Sequence, residues 1–139
     1  MFQDWDIRLA KWIDSIRHEP FCWGPHDCIT FANNAAIQMR GAGFADDFLD
    51  GYSTKKSALV RYKSFLRESG YSDLTCALDD RLNRLNTNYA PRGSIVGLPQ
   101  RGVLPFAFGV QISKHCAFVG SGGLVLLYPE NNFLYWGLK

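Results

Sequence analysis

The texture of the chain changes at Pro91, and that change limits the possible folds more than any other feature. Before it, apolar residues recur at helical spacing. After it come short runs rich in β-branched and aromatic residues, separated by Gly or Pro. Helical segments followed by closely connected strands describe an α+β protein, its strands pairing as antiparallel neighbours.

The first helix is expected over residues 5–17, where Trp5, Leu9, Trp12, Ile13 and Ile16 share a face and Asp4 is placed to cap the N-terminus. It ends before Pro20, because the residue preceding a proline is biased away from the helical region. A second helix runs from Cys28 to Arg40, with Asp27 as N-cap and Gly41 and Gly43 as its stop. Apolar and small residues lie on several of its faces (Ile29, Phe31, Ala32, Ala35, Ala36, Ile37), which marks it as the central, most buried helix. A third is expected over 54–69, and a fourth after Asp73 carries Leu74, Leu78, Leu82 and Leu85 on one side. Strands are expected at 94–98, 106–112, 115–119, 124–128 and 133–138. With no repeat or linker, residues 1–139 read as a single domain.

Composition narrows function mainly by exclusion. Fifteen basic and thirteen acidic side chains leave a formal charge of +2, and the basic residues do not cluster, so nothing points to nucleic acid or an anionic membrane. No apolar run approaches the roughly 20 residues of a membrane span. The acidic, amphipathic N-terminus is not a secretion signal, so synthesis in a reducing cytoplasm is expected. The four cysteines (Cys22, Cys28, Cys76, Cys116) are then not a disulfide framework, and they lack the paired spacing of zinc sites. A metal or iron–sulfur site built from Cys22, Cys28 and Cys116 is the weakest of the readings, and neither metal nor cofactor is expected.

Chemistry concentrates in Phe21-Cys22-Trp23-Gly24-Pro25-His26-Asp27-Cys28. A cysteine opening a buried helix meets the positive end of the helix dipole, which favours thiolate. Unpaired N–H groups of the first turn are available to an oxyanion. The bland alternative is that a cysteine in this place is inert packing.

Trp23-Gly24-Pro25-His26-Asp27-Cys28, followed by Phe31-Ala32, resembles the Trp-Gly-x-x-Asp-Cys segment of NlpC-type peptidases, the papain-like cell-wall hydrolases. Gly93-Ser94-Ile95-Val96 is similar to their Gly-Asp-Leu-Val strand, and Gly109-Val110 to the start of their central hairpin. Over nearly its full length the chain also resembles phage and prophage tail proteins related to those peptidases, through the same segment, Gly51-Tyr52-Ser53-Thr54, the Gly120–Leu124 turn and Trp136. The resemblance implies a papain-like fold, a place in a virion tail and other tail proteins as partners. If the chemistry survives, it implies hydrolysis of peptidoglycan stem peptides with Cys28 as nucleophile.

The resemblance breaks where such a hydrolase keeps its base. Aligning Gly109 with the family's glycine puts Ala107 in the place of the catalytic His and Val119 near that of its orienting partner, and neither takes a proton. Of the three histidines, His18 reads as a solvated residue at a helix C-terminus. His115 falls about 20 Å or more further along the hairpin than the expected position. His26, two residues before Cys28, is either an ion-pair partner of the thiolate or a hydrogen-bonding member of a Gly-Pro turn. Cys28, His26 and His115 are therefore the candidate catalytic residues. Two readings follow: a tail component on a hydrolase scaffold that has lost its base, and an active cysteine peptidase or amidase with an unconventional one. The apolar run Val103–Phe108 fits either a subunit interface or a buried strand.

Overall fold

The computed structural model describes residues 1–102 and 104–139. Among these are four helices, α1 (Trp5–Ile16), α2 (Cys28–Arg40), α3 (Lys55–Ser69) and α4 (Leu74–Arg81). Six strands follow: β1 (Asn83–Leu85), β2 (Ile95–Pro99), β3 (Phe106–Gln111), β4 (Cys116–Gly120), β5 (Gly123–Leu127) and β6 (Leu134–Gly137). The α+β class is as expected. The strands form one sheet in the order β1-β6-β2-β3-β4-β5, every pairing antiparallel.

Local capping chemistry sets the helix ends. Asp27 caps α2 by accepting the Thr30 N–H, and Gly41 closes it in the left-handed conformation. Thr54 and Ser57 form a reciprocal capping box at the start of α3. Asp4 stands at the N-cap position of α1 but makes no capping bond; its carboxylate instead accepts from the Arg8 guanidinium at 2.8 Å.

Helix α2 lies between α1 and the sheet. Trp12 stacks on Phe31 at 5.3 Å between ring centres, and Phe31, Ala32, Ala35, Ala36 and Met39 are fully buried. The alanines let the sheet approach closely, so Phe108, Val110 and Trp136 complete this core from the strands. A smaller cluster on the opposite sheet face is built from Val96, Cys116, Phe118, Phe133 and Tyr135.

Two expectations are corrected. The leucine pattern carried the fourth helix to Leu85, but it ends at Arg81, and Leu82 turns extended (φ −129°, ψ 174°). Leu82 stays buried, while Asn83–Leu85 pair with Gly137–Tyr135 of β6. That strand partner, some fifty residues away, outcompetes another helical turn. Nor is β6 the neighbour of β5: it crosses the sheet to pair with β2. In the apolar run, Leu104 and Phe108 are buried, whereas Phe106 and Ala107, at the start of β3, are half-buried; Val103 lies outside the described residues. No helix among the described residues is long and apolar enough to cross a membrane.

Candidate functional site around Cys28

The segment before α2 folds back on itself. Cys22 and His26 exchange backbone hydrogen bonds at 3.0 and 2.9 Å, forming a tight loop over Trp23, Gly24 and Pro25. Gly24 has φ +92°, and a Cβ there would meet the Tyr52 carbonyl oxygen at 2.6 Å, so only glycine fits. The loop is pinned to the helix by the Thr30 hydroxyl, which donates to the Gly24 carbonyl at 2.7 Å.

Asp27 is the centre of this arrangement. Its Oδ1 accepts from Thr30 N at 3.0 Å. Its Oδ2 accepts from Gly24 N at 2.9 Å and from the Tyr52 hydroxyl at 2.6 Å. Tyr52, in the segment before α3, is the residue that sequence reasoning left without a role; its place within Gly51–Thr54 was the available signal. Burial, followed by the bond to Asp27, pushes its phenol up, so it acts as a donor throughout the ordinary pH range.

Cys28 follows directly. Its side chain belongs to the main core and lines a cleft of about 250 Å³ together with Phe21, Trp23, Leu104, Ala107 and Val119, with Lys55 and Gln100 at the exposed rim. Three backbone N–H groups, those of Phe108, Ile29 and Cys28, lie around the sulfur and favour its thiolate. Desolvation is larger, and with the neighbouring Asp27 charge it pushes the thiol up to about 12. The helix N-terminus does not win here, contrary to the expectation from position alone. At neutral pH Cys28 is a thiol.

The structure does not join the three candidate residues. The His26 ring is buried, but its Nδ1 faces Glu19 at 3.7 Å and its edge faces Phe31 at 6.3 Å. Its Nε2 has no hydrogen-bond partner among the described residues. His115 lies in the β3–β4 turn. The register pairs Gln111 with Cys116, and the His115 ring packs on Tyr128 at 4.4 Å. Cys28 meets the opposite end of β3, so His115 does not approach it. His18 is exposed beside the end of α1.

The other cysteines are equally scattered. Cys22 is exposed, and Cys116 donates to Gln111 Oε1 at 3.0 Å on the far face of the sheet. Among the described residues no group of three His, Cys, Asp or Glu side chains converges on a metal position.

One family matches this sequence, over residues 1–136: DUF6950, described as a domain of unknown function. The chain belongs to the DUF6950 family. No curated protein matches it. What the site of this DUF6950 chain presents is a protonated Cys28 thiol in a small cleft walled mainly by the apolar side chains of Phe21, Trp23, Leu104, Ala107 and Val119.

Proposed function

We propose that this DUF6950 chain is a structural component of a phage or prophage tail, built on a papain-like hydrolase scaffold whose Cys28 no longer serves as nucleophile. One observation carries the loss of catalysis: Cys28, Ala107 and Val119 line the same cleft, and the last two are the positions where the sequence resemblance expects the general base and its orienting partner. A thiol pushed up to about 12 by burial needs a base to react near neutrality, and neither alanine nor valine supplies one. The tail assignment rests on the full-length sequence resemblance, with other tail proteins as partners and the virion tail as location.

The test is thiol reactivity joined to tail function. In a Cys22→Ser background, iodoacetamide should leave the Cys28 peptide unmodified near neutral pH in the folded protein and label it after denaturation, read by mass spectrometry. In a phage encoding this chain, Cys28→Ala should give infectious tails, while deletion of the chain should not. Rapid labelling of folded Cys28 at mildly acidic pH, or non-infectious tails from a stably folded Cys28→Ala protein, overturns the proposal.

A second reading has one observation in its favour. The Nε2 of His26, two residues from Cys28, is buried and has no hydrogen-bond partner among the described residues. A rotation of that ring toward the sulfur would give a Cys–His pair acting on peptidoglycan stem peptides. That reading requires peptide release from purified peptidoglycan, abolished alike by Cys28→Ala and His26→Ala.

A further inference from the structure

Two segments far apart in the sequence meet where β1 pairs with β6. Leu85 stands opposite Tyr135, so the chain leaving β1 at Asn86 runs beside the chain entering β6. This pairing gathers Asn86, Asn88, Asn131 and Asn132, four of the chain's seven asparagines, all of them exposed. Around Asn86, Asn88 and Asn131 the surface sinks into a groove of about 400 Å³. It shares no lining residue with the Cys28 cleft.

The chemistry of this groove is narrow. Arg84 is the one ionisable side chain among the described residues that line it. Its guanidinium is held by Asp79 at 2.8 Å and lies over the Trp136 ring at 5.1 Å. Thr87 shapes its own loop: its hydroxyl accepts the Tyr89 N–H at 2.9 Å and donates to the Tyr89 carbonyl at 3.3 Å. The asparagine amides, in contrast, make no side-chain hydrogen bond among the described residues. Each amide carries two donors and an acceptor oxygen, so the groove concentrates uncharged groups that both give and take hydrogen bonds.

An aromatic ring stands in the same loop. Tyr89 is 91 % exposed, the most exposed large apolar side chain among the described residues, and the Thr87 turn fixes the backbone that carries it.

We propose that this groove binds a neutral saccharide. Sugar hydroxyls are donors and acceptors at once, which amide side chains match, and the C–H face of a pyranose lies flat on an aromatic ring such as that of Tyr89. The volume sits at the lower end of the about 300–1,000 Å³ usual for ligand sites, which suits a mono- or disaccharide unit. Other ligands fit less well. A phosphate or carboxylate would meet no unpaired cation in the lining. A peptide would need an apolar seat for an anchoring side chain, but Phe133 is already buried and Leu85 and Leu134 are half-covered.

Amide NMR shifts of the isotope-labelled, folded chain test this, with maltotriose, mannotriose, lactose and N-acetylated chitotriose as probes. At least one of these sugars should give saturable shifts in the millimolar range, confined to residues 84–89 and 131–134. Trialanine and inorganic phosphate should leave the same amides in place. Tyr89→Ala and Asn131→Leu should each weaken the sugar's binding about fivefold, with thermal unfolding unchanged. The proposal is overturned if none of the sugars gives a saturable shift, or if the shifts centre elsewhere. Binding indifferent to both substitutions overturns it as well, as does an equal response to trialanine or phosphate.

Discussion

The Tyr52 hydroxyl donates to Asp27 Oδ2 at 2.6 Å, so the carboxylate that caps α2 also ties down the segment leading into α3. The Trp23–Asp27 loop, the helix start and the Gly51–Thr54 segment thereby share one buried carboxylate, 1 % exposed. Asp27→Ala leaves the Gly24 and Thr30 N–H groups and the Tyr52 hydroxyl without their acceptor. It should cost about 3 kcal/mol, and Tyr52→Phe about 1.5 kcal/mol. Urea unfolding followed by circular dichroism measures both. Equal losses for the two variants would mean that the helix cap contributes nothing.

Burial of Cys28 also has a signature in pH. Its thiol rises from an unfolded value near 9.0 to about 12 in the fold, so the folded state prefers the protonated form. The stabilisation is complete below about pH 9 and is lost as pH climbs toward about 12. Across that window wild type should lose up to about 1.4 kcal/mol per pH unit more than Cys28→Ser, whose hydroxyl does not titrate there. Cys116, raised by burial to about 11, contributes in the same direction to both proteins and cancels in the comparison. Parallel stability curves for the two proteins would place the Cys28 sulfur in water.

If a missing imidazole is what silences Cys28, restoring one should wake it. Ala107→His introduces a base into the cleft that Cys28 lines. In a Cys22→Ser background it should raise the rate of Cys28 alkylation near neutrality at least tenfold, with a bell- or step-shaped pH profile centred in the histidine range. A rate no different from that of Ala107→Gln would show that burial alone, not the absent base, controls the sulfur.

Asn33, 2 % exposed on α2, organises the loop after that helix. Its Oδ1 accepts from Phe44 N and Ala45 N, both at 2.8 Å, and its Nδ2 donates to Asp46 Oδ1 at 2.7 Å. Asn33→Ala strands two buried backbone donors and should cost about 3 kcal/mol. Asn33→Asp keeps an acceptor for them but sets a second carboxylate against Asp46. That variant should lose more stability near neutrality than at about pH 4, where protonation relieves the repulsion. Denaturant midpoints at the two pH values decide it.

What could be read from the residues alone was whatever depends on near neighbours in the chain. Helix α2 begins at Cys28 and ends at Arg40 because a capping carboxylate and a left-handed glycine act within one turn of the backbone. The strand runs after Pro91 were legible because alternation and glycine punctuation are local too. Asn83–Leu85 were misread as helix because their leucine spacing is helical and the strand that claims them, β6, is distant in sequence. The same limit applies to the site. Sequence placed Cys28 at a helix N-terminus, where the dipole favours thiolate, but its charge state depends on how completely β3 and the Phe21–Trp23 segment exclude water from the sulfur. Only the assembled fold decides that, and it also turns His26 toward Glu19, holds His115 beyond the far end of β3, and brings the Tyr52 hydroxyl to Asp27. Dipoles and caps act over a few residues of chain, whereas desolvation and side-chain partnership belong to whatever packing brings near.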